Sequence, residues 1–310
     1  MLKEDVLKLL AAHRLESLSG QALAAQLGVS RNAVWKAVKQ LEAEGYRINA
    51  GTNKGYRLES NALTPYDLQL PPQVRPFYYP TIDSTNTEAK RLLAGGLSDE
   101  AFLYADTQTA GRGRQGKSFF SPAGTGLYYS YVFHPQKALA DAVFITTAAA
   151  VSVVRAIEKT TLLRPSIKWV NDVFIGDRKI CGILTEAVTD FESGTVESVI
   201  VGTGINVTTR DFPPEIARTA AGMAVQDVSR SSLLQALAEE LISVAADLRN
   251  PAILEDYRAR SLVLGKEITF LQNGVSKRGK AVEIDESGAL LVETKDGTET
   301  LSSGEISIKF

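Results

Sequence analysis

Three short helical patterns separated by tight turns fill the first 45 residues, and they constrain the fold of this region more than any other feature. Ser19 can cap the second helix and Gly28 can end it, whereas Ser30 can cap a third helix that Gly45 follows. Apolar residues recur at helical spacing in the first and third segments: Leu2, Val6, Leu9 and Leu10, then Val34, Val38 and Leu41. This arrangement predicts a helix-turn-helix unit.

The third helix carries polar and basic residues away from its apolar stripe. The side chains on or beside this face can reach phosphates and base edges in a major groove: Ser30, Arg31, Asn32, Trp35, Lys36 and Lys39. The segments YRINA and GYRL then predict a hairpin with Arg47, Lys54 and Arg57. We therefore predict a winged helix-turn-helix DNA-binding domain over residues 1–62, although a three-helix unit whose charged face is only solvated fits the same pattern.

The charge distribution agrees with a DNA-binding N-terminal domain. Residues 1–60 hold nine of the 34 Lys and Arg residues but only six of the 36 Asp and Glu residues, so a basic unit precedes an acidic body. A single Cys and two His residues argue against a disulfide framework and against a Cys/His zinc site. The chain shows no apolar run long enough for a bilayer and no secretory pattern at Met1, so we expect a cytoplasmic protein that is not in a membrane.

The remainder of the chain is predicted to be α+β. Five prolines punctuate residues 61–80, which predicts an irregular connection and a domain boundary near residue 62. Strand-like runs such as GLYYSYVF and SVIVGTGINV then alternate with helical patterns near residues 86–94, 139–159 and 230–249. Because glycine turns separate several strands at hairpin distance, we expect a mixed, mainly antiparallel sheet with helices over residues 63–263.

The C-terminal segment predicts a small all-β domain over residues 264–310. Its strands read EITFL, KAVEI, ALLVET and EISIKF, and the dipeptides Asn273-Gly274 and Asp296-Gly297 are typical of tight hairpins. An SH3-like barrel fits this pattern. The segment holds no obvious reactive group, so we expect it to help cover a nucleotide or to dock a partner protein.

The segment GRGRQGKSFFSP, residues 111–122, matches the P-loop pattern literally. A P-loop needs a helix after its Lys and Ser, and here Pro122, Gly124 and Gly126 lead instead to a strand-like run. We therefore interpret the match as chance and predict that Arg112, Arg114 and Lys117 form a clamp for phosphate or carboxylate. A solvated basic loop is the alternative.

Five segments in a fixed order carry a family resemblance: IDSTNTEA, TQTAGRGRQGKSF, KWVNDV, RKICGILTE and GTGINV. In this order they look like the motif series of biotin protein ligases, over about 125 residues of the centre of the chain. With the winged domain in front and the β domain behind, the whole chain resembles the bifunctional ligases that also repress biotin operons. The sequence departs from the family pattern at Phe119, where Trp is common, and at Val170, where Pro is common.

The resemblance implies a class II synthetase-like central domain that makes biotinyl-5'-AMP from biotin and ATP. Lys179 and Arg114 would be catalytic. Biotin would be bound by these two residues and by Ser84, Thr85, Asn86, Gln108, Arg112 and Gly113. The nucleotide would be bound by Arg114, Phe119, Asn171, Asp172 and Asn206, and Asp172 would contact Mg²⁺. Structural alternatives remain for several of them: Thr85 and Glu88 also form a helix capping box, Asn171 suits a turn, and Lys179 suits an exposed strand end.

The implied partners are a biotin carboxyl carrier protein, operator DNA and a second copy of the chain when biotinyl-AMP is bound. Three other functions stay open: a ligand-sensing repressor without chemistry, a P-loop NTPase joined to a DNA-binding domain, and a lipoate ligase. The presence of Arg114 and Lys179 argues against the first of these.

Overall fold

The structure is a computed structural model that describes residues 1–51, 54–59, 61–135, 142–189, 195–225, 228–272 and 274–308. The predicted turn at Asn273-Gly274 therefore lies partly outside the described residues, as does the start of the helix predicted from residue 139. Within the described ranges, no helix has the length and apolar character needed to cross a membrane.

The N-terminal unit has the predicted helix-turn-helix and hairpin. Its elements are α1 (Leu2–Ala12), α2 (Gly20–Leu27), α3 (Arg31–Ala43), β1 (Ile48–Gly51) and β2 (Gly55–Leu58). The hydroxyl groups of Ser19 and Ser30 cap α2 and α3 by accepting from backbone amides, and Gly28 ends α2 at φ 66°. The apolar faces of the three helices form their own core with Ile48 and Leu58. The caps and the buried stripe confirm the pattern in the sequence.

A seven-stranded sheet forms the centre of the chain. Its strands are β3 (Val74–Ile82), β4 (Glu100–Gln108), β5 (Gly126–Phe133), β6 (Ser166–Lys168), β7 (Asp172–Ile175), β8 (Arg178–Thr189) and β9 (Val196–Asn206). They lie in the order β3-β4-β5-β9-β8-β7-β6. Of the strand pairs in this sheet, β3 with β4 is parallel and the others are antiparallel. The mixed, mainly antiparallel sheet was thus correctly predicted.

Within the described part of the chain, four helices accompany this sheet: α4 (Thr85–Ala94), α5 (Ala142–Thr160), α6 (Arg230–Ala246) and α7 (Pro251–Ala259). Alternate residues of a strand face opposite sides of a sheet. Phe102 and Tyr104 pack in the main core that includes α5 and α6, whereas Ala101 and Leu103 pack with Ala89 of α4. Helix α4 therefore lies on the opposite face of the sheet from α5 and α6.

The structure corrects one prediction and adds one element. Residues 74–82 form β3 rather than part of an irregular connection, although Pro76 and Pro80 lie within the strand. Proline is tolerated there because β3 is at the edge of the sheet, where one side of the strand needs no hydrogen-bonded neighbour. Helix α7, which begins at Pro251 after the capping residue Asn250, was not predicted.

The C-terminal segment folds into five antiparallel strands: β10 (Glu267–Gln272), β11 (Val275–Ile284), β12 (Leu290–Thr294), β13 (Gly297–Leu301) and β14 (Ile306–Ile308). Their order is β13-β12-β11-β10-β14. Apolar residues such as Ile268 and Leu290 belong to the same core as the central sheet. The indole N–H of Trp169 donates to the carbonyl of Gly288 at 3.0 Å. The β domain therefore packs directly against the central domain.

Two arginines join the N-terminal unit to the central domain. Arg14 bonds the carboxylate of Asp67 and the carbonyl of Ala62. The fully buried Arg230 donates to Asp106 and to the carbonyls of Gly126 and Asn61 at 2.8–2.9 Å. A buried charge is stable only when it is paired and hydrogen-bonded, and these contacts meet that need for Arg230.

Candidate active site

A cavity of about 340 Å³ opens on the α4 face of the sheet. All twelve residues that the sequence assigned to biotin, nucleotide or catalysis line it: Ser84, Thr85, Asn86, Gln108, Arg112, Gly113, Arg114, Phe119, Asn171, Asp172, Lys179 and Asn206. These residues come from the start of α4, the end of β4, the basic loop after it, the turn between β6 and β7, and strands β7, β8 and β9. The fold thus brings five separated motifs to one place.

The basic loop closes on itself and does not lead into an α-helix. The amide of Gly113 donates to the carbonyl of Lys117 at 2.7 Å, and the amide of Phe119 donates to Gly111 at 2.8 Å. Residues 114–116 form a single 3-10 turn, and the chain is then extended or turned until β5 begins at Gly126. A P-loop binds phosphate at the start of a helix. No α-helix follows the basic loop in the described residues before β5, so this geometry excludes a P-loop in this segment.

The start of α4 supplies a cluster of buried polar groups. Gln108 Oε1 accepts from the amide and the hydroxyl of Thr85, at 2.9 and 3.2 Å. The hydroxyl oxygen of Ser130 lies within hydrogen-bond distance of the Thr85 hydroxyl and of Asn86 Oδ1, at 2.7 and 2.6 Å. The N-cap of α4 is Ser84, so the capping box that was the structural alternative for Thr85 and Glu88 does not form. The hydroxyl of Thr85 instead donates to Gln108 at the cavity wall.

Two glycines of the GTGIN segment let this cluster and the basic loop lie against β9. Ile200 packs with α4, and residues 202 and 204 follow on the same face of the strand. A Cβ at Gly202 would lie 1.9 Å from Asn86 Oδ1, and a Cβ at Gly204 would lie 2.4 Å from the ring of Phe119. The absence of side chains at these positions therefore makes room for the cavity wall.

The cations around the cavity have partners within the chain. Lys179 Nζ lies 2.7 Å from Asp172 Oδ1. Arg114 donates to Asn171 Oδ1 at 2.9 Å, and Asn171 in turn donates to Asp172 Oδ1 at 3.0 Å. These contacts form one polar chain from the basic loop to β8. An anionic ligand would therefore enter a cavity in which fixed cations and amides are already held in place.

Glu186 was not singled out in the sequence, although it lies within the RKICGILTE motif. Its carboxylate accepts from Asn86 at 2.9 Å and from Lys90 at 2.7 Å, and it lies 3.2 Å from Arg112. Burial opposes ionisation, yet the hydrogen bonds from Lys90 and Asn86 hold the pKa of the Glu186 carboxyl below its usual value. Glu186 thus links Asn86 and Lys90 of α4 to Arg112 of the basic loop.

Two further parts of the cavity wall were also missed. Lys168 lines the cavity, and burial, followed by the nearby charges of Lys179 and Lys117, lowers its pKa although Asp172 opposes this. The KWVNDV motif contains Lys168, so its position was available from the sequence. Residues 304–307 of the β domain also line the cavity, and Glu305 pairs with Lys117. The β domain was expected to help cover a nucleotide or to dock a partner, but none of these residues was identified individually.

The predicted DNA-binding residues lie apart from the cavity. All eight are exposed: Ser30, Arg31, Asn32, Trp35, Lys36, Lys39, Arg47 and Lys54. Trp35 is 49% exposed, so it does not belong to the helix core. Lys39 pairs with Glu42 at 2.6 Å, and Arg47 lies 3.6 Å from Glu59. Surface ion pairs of this kind are weak enough to be exchanged for a phosphate contact.

Three family models match the chain. The biotin/lipoate A/B protein ligase family matches residues 78–206, a helix-turn-helix domain matches residues 3–57, and the biotin protein ligase C-terminal domain matches residues 263–309. The bifunctional ligase/repressor BirA of Bacillus subtilis is 32% identical over 99% of this chain and 98% of its own length. Its namesake in Escherichia coli is 29% identical over 94% of this chain and 92% of its own length.

The solved structures agree with the family models. A biotin protein ligase from Aquifex aeolicus, described as a complex with biotin and ATP, matches with a TM-score of 0.62 and 29% identity, over 76% of this chain and 98% of that one. The sequence similarity extends over the helix-turn-helix domain, the central domain and the C-terminal domain together. The chain therefore belongs to the biotin protein ligase family, in the form that carries an N-terminal helix-turn-helix domain.

Proposed function

We propose that the chain activates biotin with ATP and transfers the biotinyl group to a lysine of a biotin carboxyl carrier protein. In the first step a carboxylate oxygen of biotin bonds to the α-phosphorus, and pyrophosphate leaves. In the second step the carrier amine attacks the acyl carbon, AMP leaves and the amine loses a proton. The observation that carries this proposal is the single cavity that contains all twelve motif residues.

The residues divide into two groups along β9. Ser84, Thr85 and Asn86 are buried, and together with the partly buried Gln108 they offer hydroxyl and amide groups, which suit the carbonyl and two N–H groups of the biotin ring. Arg112 and Gly113 of the basic loop lie beside this group. The other group surrounds Phe119, whose ring can pack against a purine base. Asn206 Oδ1 is buried without a hydrogen-bond partner among the described residues, so it is open to a ligand donor.

Lys179 and Arg114 carry the catalytic roles in this proposal. Two anions, the biotin carboxylate and the ATP phosphates, must be brought together, and charge increases on the phosphate oxygens as the new bond forms. Both side chains line the cavity, and both are oriented by a neighbour, Asp172 for Lys179 and Asn171 for Arg114. The chain thus supplies charge neutralisation and orientation rather than a covalent intermediate.

Magnesium would enter with ATP rather than occupy a site of its own. Among the described residues, no group of three or more His, Cys, Asp or Glu side chains could hold a metal. Asp172 uses Oδ1 for both Lys179 and Asn171. Its other carboxylate oxygen could therefore bind the Mg²⁺ ion that enters with ATP. One carboxylate together with substrate phosphates is a usual set of ligands for Mg²⁺.

Pyrophosphate exchange tests the activation step. We expect the protein to exchange pyrophosphate with Mg-ATP only when biotin is present, because the reaction needs the biotin carboxylate. Lipoate in place of biotin serves as the comparison, since the family model covers both kinds of ligase. Exchange that depends on lipoate but not on biotin would reassign the substrate, whereas hydrolysis of ATP to ADP without either acid would remove the proposal.

The N-terminal domain is proposed to bind operator DNA, with biotinyl-AMP as the corepressor that connects the two activities. The exposed basic side chains of α3 and of the hairpin support this role. So does the name of the Bacillus subtilis relative, which describes both a ligase and a repressor. The chain would then repress transcription when carrier protein is scarce and the adenylate is not consumed.

Gly202→Ala is expected to weaken biotin binding by about 10-fold or more, because the new Cβ would displace Asn86 from its bonds to Ser130 and Glu186. Gly20→Ala is the matched control, since Gly20 lies in α2 outside the cavity and its Cβ would meet only the ring of Tyr56 at 3.3 Å. Calorimetric titration with biotin measures both variants. Equal affinity in Gly202→Ala and the wild type would contradict the placement of Asn86.

A further inference from the structure

Residues 212–221, here called the wall segment, separate the candidate active site from a second cavity of about 660 Å³. Ile216 and Thr219 line the active site, and Ala217 lines the second cavity. Phe212 and Ala220 line both cavities. The shape of the active site at this end therefore depends on how firmly the wall segment is held.

Backbone hydrogen bonds fix the wall segment to itself and to the start of β8. The amide of Ala220 donates to the carbonyl of Ile216 at 2.8 Å, which closes a turn. The amide of Lys179 donates to Thr219 at 2.8 Å, and the amide of Ala221 donates to Lys179 at 2.9 Å. The catalytic lysine and the wall segment are therefore joined through the backbone of one residue.

Arg178 adds a clamp from the opposite side. Its Nη2 donates to the carbonyls of Ala217 and Ala220, at 2.6 and 2.7 Å. Neighbouring residues on a strand face opposite sides, so Arg178 lines the second cavity while Lys179 lines the active site. Hydrogen bonds from a charged donor are stronger than those between neutral groups, so Arg178 is well suited to hold two carbonyls of a surface turn.

We propose that Arg178 is a positioning residue for the nucleotide half of the active site. Its side chain lines the second cavity and is not among the residues that line the active site. It holds the wall segment from behind, and thereby keeps Ile216, Thr219 and the backbone of Lys179 in place around the nucleotide. The inference rests on the proposed function, because the ligand that Arg178 helps to retain is biotinyl-AMP. Removal of the clamp should therefore loosen the nucleotide end and leave the biotin end intact.

Arg178→Gln and Arg178→Lys test the proposal, with Arg210→Gln as the matched control. Arg210 is an exposed arginine that lines the same second cavity, so its replacement removes the same charge without the clamp. For Arg178→Gln we expect the KM for ATP and the dissociation rate of biotinyl-AMP to rise by about 10-fold, the size typical of removing a charge-assisted hydrogen bond. The Kd for biotin alone should stay at the wild-type value, and Arg178→Lys should fall between.

Trypsin cleavage after Arg218 gives a second readout within the wall segment. Biotin with Mg-ATP should protect this bond in the wild type and in Arg210→Gln, and protect it less in Arg178→Gln. Unchanged KM, adenylate dissociation and protection in Arg178→Gln would overturn the inference. Equal weakening of biotin and ATP binding would also overturn it, because that result indicates a general loss of folding. If the wild type forms no adenylate, the proposed function fails instead.

Discussion

Lys179→Ala is expected to slow biotinyl-adenylate formation by about 100-fold or more while the chain stays folded. The variant removes the cation that lies 2.7 Å from Asp172 on the cavity wall, so negative charge on the phosphates loses a fixed partner. The fold should tolerate the change, because the Lys179 side chain is partly exposed and Asp172 keeps its hydrogen bond from Asn171. Pyrophosphate exchange measures the rate, and circular dichroism measures the fold.

Lys159→Ala is the matched control for this prediction. Lys159 also pairs with a carboxylate at 2.8 Å, that of Glu239, but this pair lies on the surface between α5 and α6. The control should exchange pyrophosphate at the wild-type rate. Lys179→Arg should recover part of the activity, since it keeps the charge but changes the shape of the donor. A wild-type rate in Lys179→Ala would remove the catalytic role assigned to this residue.

Biotinyl-AMP is expected to raise operator affinity by about 5-fold to 150-fold, the range typical of coupling between two sites. One winged domain of modest charge binds DNA weakly, whereas a dimer reads two half-sites and gains through effective concentration. Only a ligand with higher affinity for the dimer-competent state can shift the equilibrium toward it. We therefore expect biotinyl-AMP, more than biotin alone, to promote the homodimer. Operator titrations and sedimentation at matched protein concentrations measure the two effects.

Variants on α3 separate DNA binding from dimerisation. Arg31→Ala with Lys36→Ala should reduce both operator affinity and its salt dependence, with the salt slope falling by about 0.9 for each phosphate that is no longer neutralised. Lys8→Ala removes an exposed lysine from α1 and is the control. The point variants are preferable to deletion of residues 1–62, because deletion would remove the Asn61 carbonyl that the buried Arg230 contacts. The DNA-binding assignment would be contradicted if operator affinity changed neither with biotinyl-AMP nor in these variants.

The local sequence pattern correctly predicted the elements that are stabilised by residues close to one another in the sequence. Ser19, Gly28 and Ser30 act within a few residues of their own position, so caps and turns in the N-terminal unit could be inferred directly. Strand β3 was missed because its prolines are acceptable only at a sheet edge, and strand order is not visible in a short window of sequence. The five motifs identified the cavity residues in advance, because a motif series can be recognised from the order of its residues along the chain.

The residues that were missed depend on partners far along the chain. Arg230 was not identified from the sequence, because arginine is mostly exposed and its partners Asp106, Gly126 and Asn61 are more than 100 residues away. Glu186 likewise bonds Asn86, 100 residues before it. Such groups become functional or structural only when the fold brings the segments together. Sequence reasoning could name the motif that holds Glu186, but not its contacts.

Transfer of biotin to a carrier domain is the measurement that tests the central claim most directly. The protein should be incubated with biotin, Mg-ATP and a biotin carboxyl carrier domain. The mass of the carrier domain should then be measured by mass spectrometry. We predict a mass gain of one biotinyl group on one carrier lysine, accompanied by release of pyrophosphate and AMP. An unmodified carrier, with ATP converted to ADP or left intact, would contradict the account.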